Sequence, residues 1–188
     1  MFDHSRHLAF ATIGLLMLLG TTSCDTHDPS SPASPSSSST AASPTSSTPH
    51  TFAELATHPC NALDAADTAG FSVTRPGAEQ PGAAGGCFWT TPTTGFSFYP
   101  HPSSDLTTPL PPAPGATAIT VAQHRAVQIR ESLPNGKEAG CTVTVAATGG
   151  GSFNVEVAIA GAGSDTAPIV DTCALGIDIA TTILSHLT

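Results

Sequence analysis

Five cysteines carry most of the chemistry legible in this 188-residue chain, and they divide into one and four. Cys24 closes the run Leu15-Leu16-Met17-Leu18-Leu19-Gly20-Thr21-Thr22-Ser23-Cys24, where an apolar stretch and small residues lead to a cysteine. The run looks like a bacterial lipobox, the signal for cleavage just before the cysteine and acylation of its thiol. Removing Cys24 from the count leaves Cys60, Cys87, Cys141 and Cys173, an even number for an exported chain. Such cysteines oxidise outside the cytosol, so two disulfides are expected. Three pairings are possible; Cys60–Cys87 and Cys141–Cys173 are favoured because each joins neighbouring elements in the reading below. A metal site is the rival use, but no two of the four stand as Cys-x-x-Cys, and His58 near Cys60 reads as a loop residue.

The other reactive side chains form no recognisable constellation. The chain has no Gly-x-Ser-x-Gly elbow, no Ser-x-x-Lys, no His-Glu-x-x-His and no phosphate-cradling loop. Gly149-Gly150-Gly151 lacks the lysine and the helix that an anion site requires, and reads as a hairpin turn. His58, His101, His124 and His186 are scattered and read as surface residues. Glu131 and Glu138 flank a turn and read as solvated carboxylates rather than an acid/base pair. Arg125 and Arg130 are expected to pair with Glu131 or Asp171. No catalytic, cofactor-binding or metal-binding residue is assigned on this reading.

The elements that position these residues fall into three segments. Residues 1–23 read as a signal peptide: a polar stretch with Arg6, then an apolar core of about 13 residues from Leu8 to Gly20. A membrane-spanning helix needs roughly 20 apolar residues, so a cleaved signal fits better. Residues 24–51 follow as the lipidated cysteine and a linker, in which 20 of the 27 positions after Cys24 are Ser, Thr or Pro. That composition cannot bury enough apolar surface to offset its ordering entropy, so disorder is expected, with a reach on the order of 30 Å. Residues 52–188 form a single domain. It carries 11 acidic and 4 basic residues, a net −7, which argues against nucleic acid or an anionic bilayer surface as a direct partner.

Within the domain, Cys60 to Ala69 predicts a helix with Asp64 and Asp67 as a capping box and Gly70 as its stop. Phe71 to Arg75 alternates as a strand, and Pro76 to Gly86 reads as a loop. Cys87–Thr91 and Phe96–Tyr99 predict an aromatic hairpin, with Cys87 and Trp89 on one side of it. Pro100 to Thr117 reads as a long proline-rich loop, and Ile119 to Gln123 as a helical turn or short edge strand. Arg125–Glu131, Cys141–Val145 and Phe153–Ile159 predict three more strands. The closing helix shows an apolar stripe of Val170, Cys173, Ile177, Ala180, Leu184 and Leu187, capped by Asp171 or Thr172. The result is an α+β domain: an antiparallel sheet packed against an N-terminal and a C-terminal helix, with two disulfides.

Pro59-Cys60, Cys87-Phe88-Trp89, Gly140-Cys141-Thr142-Val143 and Asp171-Thr172-Cys173-Ala174-Leu175 together resemble the DUF3558 family of actinobacterial lipoproteins. The resemblance covers roughly residues 55–187, with Thr172 where that family usually has proline. It implies a lipid-anchored domain of unknown function and brings no catalytic residues. The expected function is therefore a non-enzymatic envelope module on the outer face of the plasma membrane. It would reach the membrane through the lipid on Cys24 and bind a small hydrophobic ligand or an envelope protein. A cell-wall or lipid-modifying hydrolase is the alternative. No cofactor is expected.

Overall fold

A computed structural model describes residues 49–81, 85–104, 115–147 and 149–188. Cys24, the signal segment, nearly all of the linker and most of the Pro100–Thr117 stretch lie outside the described residues. Seven antiparallel strands form one sheet in the order β1-β2-β3-β7-β6-β5-β4. The strands are β1 Arg75–Gln80, β2 Gly86–Thr90, β3 Thr94–His101, β4 Ala116–Val121, β5 His124–Ser132, β6 Glu138–Ala146 and β7 Ser152–Ile159. Helix α1 (Phe52–Thr57), a 3₁₀ turn (Pro59–Ala62) and α2 (Ala65–Gly70) precede the sheet, and α3 (Thr172–His186) follows it. This is the α+β domain expected.

Register explains where the core lies. Cys87 pairs with Phe98 and Trp89 with Phe96, and across β7 and β6 the same face continues through Val155, Val157, Val143 and Val145. All of these are buried, and the helices cover that face. Two aromatic groups fill it: Trp89 stacks on Phe96 at 5.4 Å with Phe71 edge-on at 6.2 Å, while Phe153 bridges Phe98 and Phe52. The opposite face holds Phe88, Tyr99, Thr142, Thr144, Asn154 and Glu156, half-buried or exposed, as expected for a one-sided antiparallel sheet. Between β6 and β7 the chain reverses through Gly149, Gly150 and Gly151, each with positive φ. Any side chain would strain there, which is why the turn is glycine.

Both favoured disulfides are present. Cys60–Cys87 ties the 3₁₀ turn to β2, and Cys141–Cys173 ties β6 to α3, across sequence separations of 27 and 32. Closing loops of that size contributes about 3.5 kcal/mol each in the chain-entropy treatment. Helix α3 lies close to the sheet at Gly176, where a Cβ would stand 3.0 Å from Val143 and 3.5 Å from Val157.

Four expectations of local structure are corrected. Helix α1, closed by a reciprocal capping box between Thr51 and Glu54, lies where no helix was predicted. Cys60–Ala69 is two pieces, a 3₁₀ turn and then α2, and the Asp64–Asp67 box opens the second. Of the predicted strand Phe71–Arg75, only Arg75 is extended in the sheet: Ser72 has φ +57° and Val73 N–H returns to Thr68. The strand is instead Arg75–Gln80, inside the predicted loop, because the outer edge of β2 supplies its hydrogen bonds and a register shift between Arg75 and Ala78 absorbs Pro76. On α3 the buried stripe runs through Cys173, Gly176, Ile179, Ala180, Ile183 and Leu184, leaving Ile177 and Leu187 half-buried. Gly176 hid this stripe because it contributes no apolar side chain.

Candidate functional site

At the N-terminal end of α3, the segment between β7 and the helix folds back over the start of β6 and leaves a surface pocket of about 360 Å³. Short turns hold that segment: Ala162 N–H to Ile159, Ser164 N–H to Gly161 and Ala167 N–H to Ser164. Ile159, Ala167, Pro168, Ile169 and Val170 form its apolar wall, and Lys137, Glu138 and Asp165 its charged rim. The Lys137 ammonium meets Asp165 at 2.9 Å. Ile169 is fully exposed, the sole large apolar side chain so placed among the described residues.

Beneath the rim lies a network that joins sheet to helix. Glu138 accepts from the Arg130 guanidinium with one oxygen, and from the Thr172 hydroxyl and N–H with the other. Arg130 also reaches Asp171 at 3.2 Å, and Asp171 caps α3 by accepting from Ala174 N–H. Partial burial pulls the Glu138 carboxyl upward, but the Thr172 and Arg130 hydrogen bonds outweigh it and hold it below the ordinary carboxylate range. Asp171 is held low chiefly by the Ala174 N–H, and the Arg130 guanidinium is raised chiefly by its bond to Glu138.

The expected pairing of Arg130 with Asp171 is therefore present, with Glu138 as a second partner that sequence reasoning left solvated. Both Glu138 oxygens are engaged by donors, which makes it an anchor for α3 and a poor base. Glu131 lies on the opposite sheet face and accepts from Thr142; Arg125, at the start of β5, is engaged in an interaction of its own. Glu156 is raised, by partial loss of water first and then by Glu131, with His101 opposing.

Of the scattered histidines, His58 is exposed, His101 is half-buried, and His124 contacts the Ala146 carbonyl at 3.0 Å through Nδ1. His186 corrects the surface reading: it is 5% exposed, with Nε2 3.4 Å from Asp67. Sequence separation hid this contact, since the two residues stand 119 positions apart. None of these four histidines lines the pocket at the other end of α3. Trp89 is core rather than a ligand platform, 2% exposed and stacked on Phe96.

No curated protein and no solved structure matches this chain. A family model described as Protein of unknown function (DUF3558) matches residues 19–186, nearly the whole chain, and the order of its half-cystines along helix, hairpin, strand and helix agrees with the resemblance. The chain belongs to the DUF3558 family.

Proposed function

We propose that this chain is a lipid-anchored, non-enzymatic module of the cell envelope, tethered through Cys24 to the outer face of the plasma membrane. It binds an envelope protein by taking an apolar side chain of that partner into the pocket beside Ile169. The observation that carries this reading is the place of the exposed Ile169 and its pocket on α3. His50, where the linker enters the domain, bridges Leu187 at the C-terminal end of the helix. The pocket lies at the N-terminal end, about 22 Å away along 15 residues at 1.5 Å each. With the tether entering at one end of the helix and the recess at the other, the point of attachment leaves the recess uncovered for partners in the wall or periplasm. Ile169 stands with Ala167, Pro168 and Val170 around a concave surface, and an apolar patch of that kind, unlike a lone residue, favours contact with another protein. A small hydrophobic ligand is served less well, because the pocket is shallow, lies at the surface and has ion pairs on its rim.

A photoreactive residue placed at Ile169, and for comparison at the exposed Thr181 on α3, tests this in the native host. The expected result is a discrete protein adduct from position 169 that is absent from position 181. A lipid adduct at 169, with lipid co-purifying in mass spectra, would replace the partner with a hydrophobic ligand. Turnover of wall or lipid substrates by the purified chain would establish the hydrolase instead. Release of a Cys24→Ala chain from the membrane fraction tests the anchor separately.

A further inference from the structure

At the opposite end of α3, two carboxylates and one imidazole converge from elements far apart in sequence. Asp64 and Asp67 open α2, and His186 closes α3; one donor atom from each lies within 4.8 Å of the other two. His186 comes in through the core, its side chain only 5% exposed, and Asp67 is 17% exposed. The 3.4 Å from His186 Nε2 to Asp67 Oδ2 is longer than a good hydrogen bond. It equals the separation, about 3.4 Å, of two donors that each sit 2.0–2.1 Å from a tetrahedral ion. We propose that Asp64, Asp67 and His186 bind a divalent transition-metal ion of the zinc class, which clamps α2 to the end of α3.

Charge and preorganisation both support a cation. Two carboxylates face one imidazole, and a single protonated ring would offset one negative charge of the two; a divalent ion offsets both. Main-chain donors orient the carboxylates. Asp64 Oδ1 accepts from Ala66 and Asp67 N–H at 2.7 and 2.9 Å, and Asp67 Oδ2 accepts from Asp64 N–H at 2.9 Å. Asp64 thus keeps its second oxygen for ligation, while Asp67 Oδ2, the oxygen that faces His186, has the Asp64 N–H as its outer-shell donor and a second lone pair for the ion. Imidazole with carboxylate oxygens suits zinc and its first-row neighbours better than magnesium, which keeps an all-oxygen octahedron. The net −9 charge of the chain raises the local concentration of cations. This proposal does not rest on the partner-binding reading, whose pocket is at the other end of the helix.

The test is a Zn²⁺ titration of the full chain purified in detergent, followed by calorimetry and thermal unfolding, with Mg²⁺ as comparison. One Zn²⁺ per chain and a raised unfolding midpoint are expected, reversed by chelator. His186→Gln and Asp67→Asn should each weaken binding by at least the roughly 10–100-fold that loss of an outer-shell partner costs, while His58→Gln leaves it unchanged. Co²⁺ should give visible bands in the wild type that His186→Gln loses. Asp64→Asn keeps the capping oxygen and the His186–Asp67 pair while removing one ligand, so it should weaken binding in a protein that still folds. Absence of stoichiometric Zn²⁺ uptake, or uptake equal in wild type and Asp64→Asn, overturns the proposal and leaves a His–Asp ion pair.

Discussion

The two ends of helix α3 are built from the same kinds of residue and reach opposite states. At the N-terminal end, Glu138 and Asp171 meet a guanidinium, a hydroxyl and main-chain N–H groups, so both Glu138 oxygens have donors and Asp171 Oδ1 has two. At the C-terminal end, Asp64 and Asp67 spend one oxygen each on the cap of α2, and the one buried imidazole stands 3.4 Å from Asp67 with Asp64 within 4.8 Å. Such a network is a lock: it positions the helix, and its guanidinium already offsets carboxylate charge. An incompletely matched one retains electrostatic capacity, which is why the cation is placed there and partner binding is placed in the apolar recess above the lock. A carboxylate cluster is informative only once its donors have been counted.

Severing the lock covalently should have the largest effect. Replacing Cys141 and Cys173 together by Ser frees α3 from β6 and should lower stability by about 3–4 kcal/mol, read from denaturant midpoints. Glu138→Ala comes next, at about 1–2 kcal/mol, because it strands the Thr172 N–H and hydroxyl; the figure stays low because Arg130, 42% exposed, can turn to water. Glu138 also sets an acid limb. Its folded-state carboxyl lies below the ordinary value, so its contribution is complete above the unfolded pKa of about 4 and is lost as pH falls through the folded one. The stability of Glu138→Gln should therefore fall less steeply than wild type below about pH 4. Asp171→Ala removes the cap of α3 and should cost about 1 kcal/mol. Lys137→Ala should leave stability unchanged, because Asp165 is fully exposed; a large loss there would show that the rim, and not the buried network, holds the helix.

Features carried by neighbours in the chain were legible. The Asp64–Asp67 box, the Asp171 cap and the two hairpins each depend on residues a few positions apart, where local sterics and hydrogen bonding decide. Both disulfides could be read because oxidation demanded pairs and each hairpin or helix offered one nearby. Strand β1 could not: Arg75-Pro76-Gly77-Ala78-Glu79-Gln80 has loop composition, and it is a strand because β2 presents an unpaired edge to it. The alternation of Phe71 and Val73 pointed the other way. Both pack against the core from a turn, which burial alone cannot distinguish from a strand. The pocket was equally hidden, since Lys137, Ile159 and Ile169 become neighbours only when the chain folds back over β6.

By itself the sequence determined a family, an α+β sheet with its half-cystines, the helix caps and a pattern for lipid attachment. Each of these follows from residue type and short spacing. Only the tertiary structure decided which charges are spent and which remain. It carried Arg130 to Glu138 and Asp171, brought His186 across 119 positions to Asp67, and left Ile169 in the open. The physical reason is that hydrogen-bond and charge partners are assigned by proximity in space, and for both ends of α3 that proximity comes from packing the helix on the sheet.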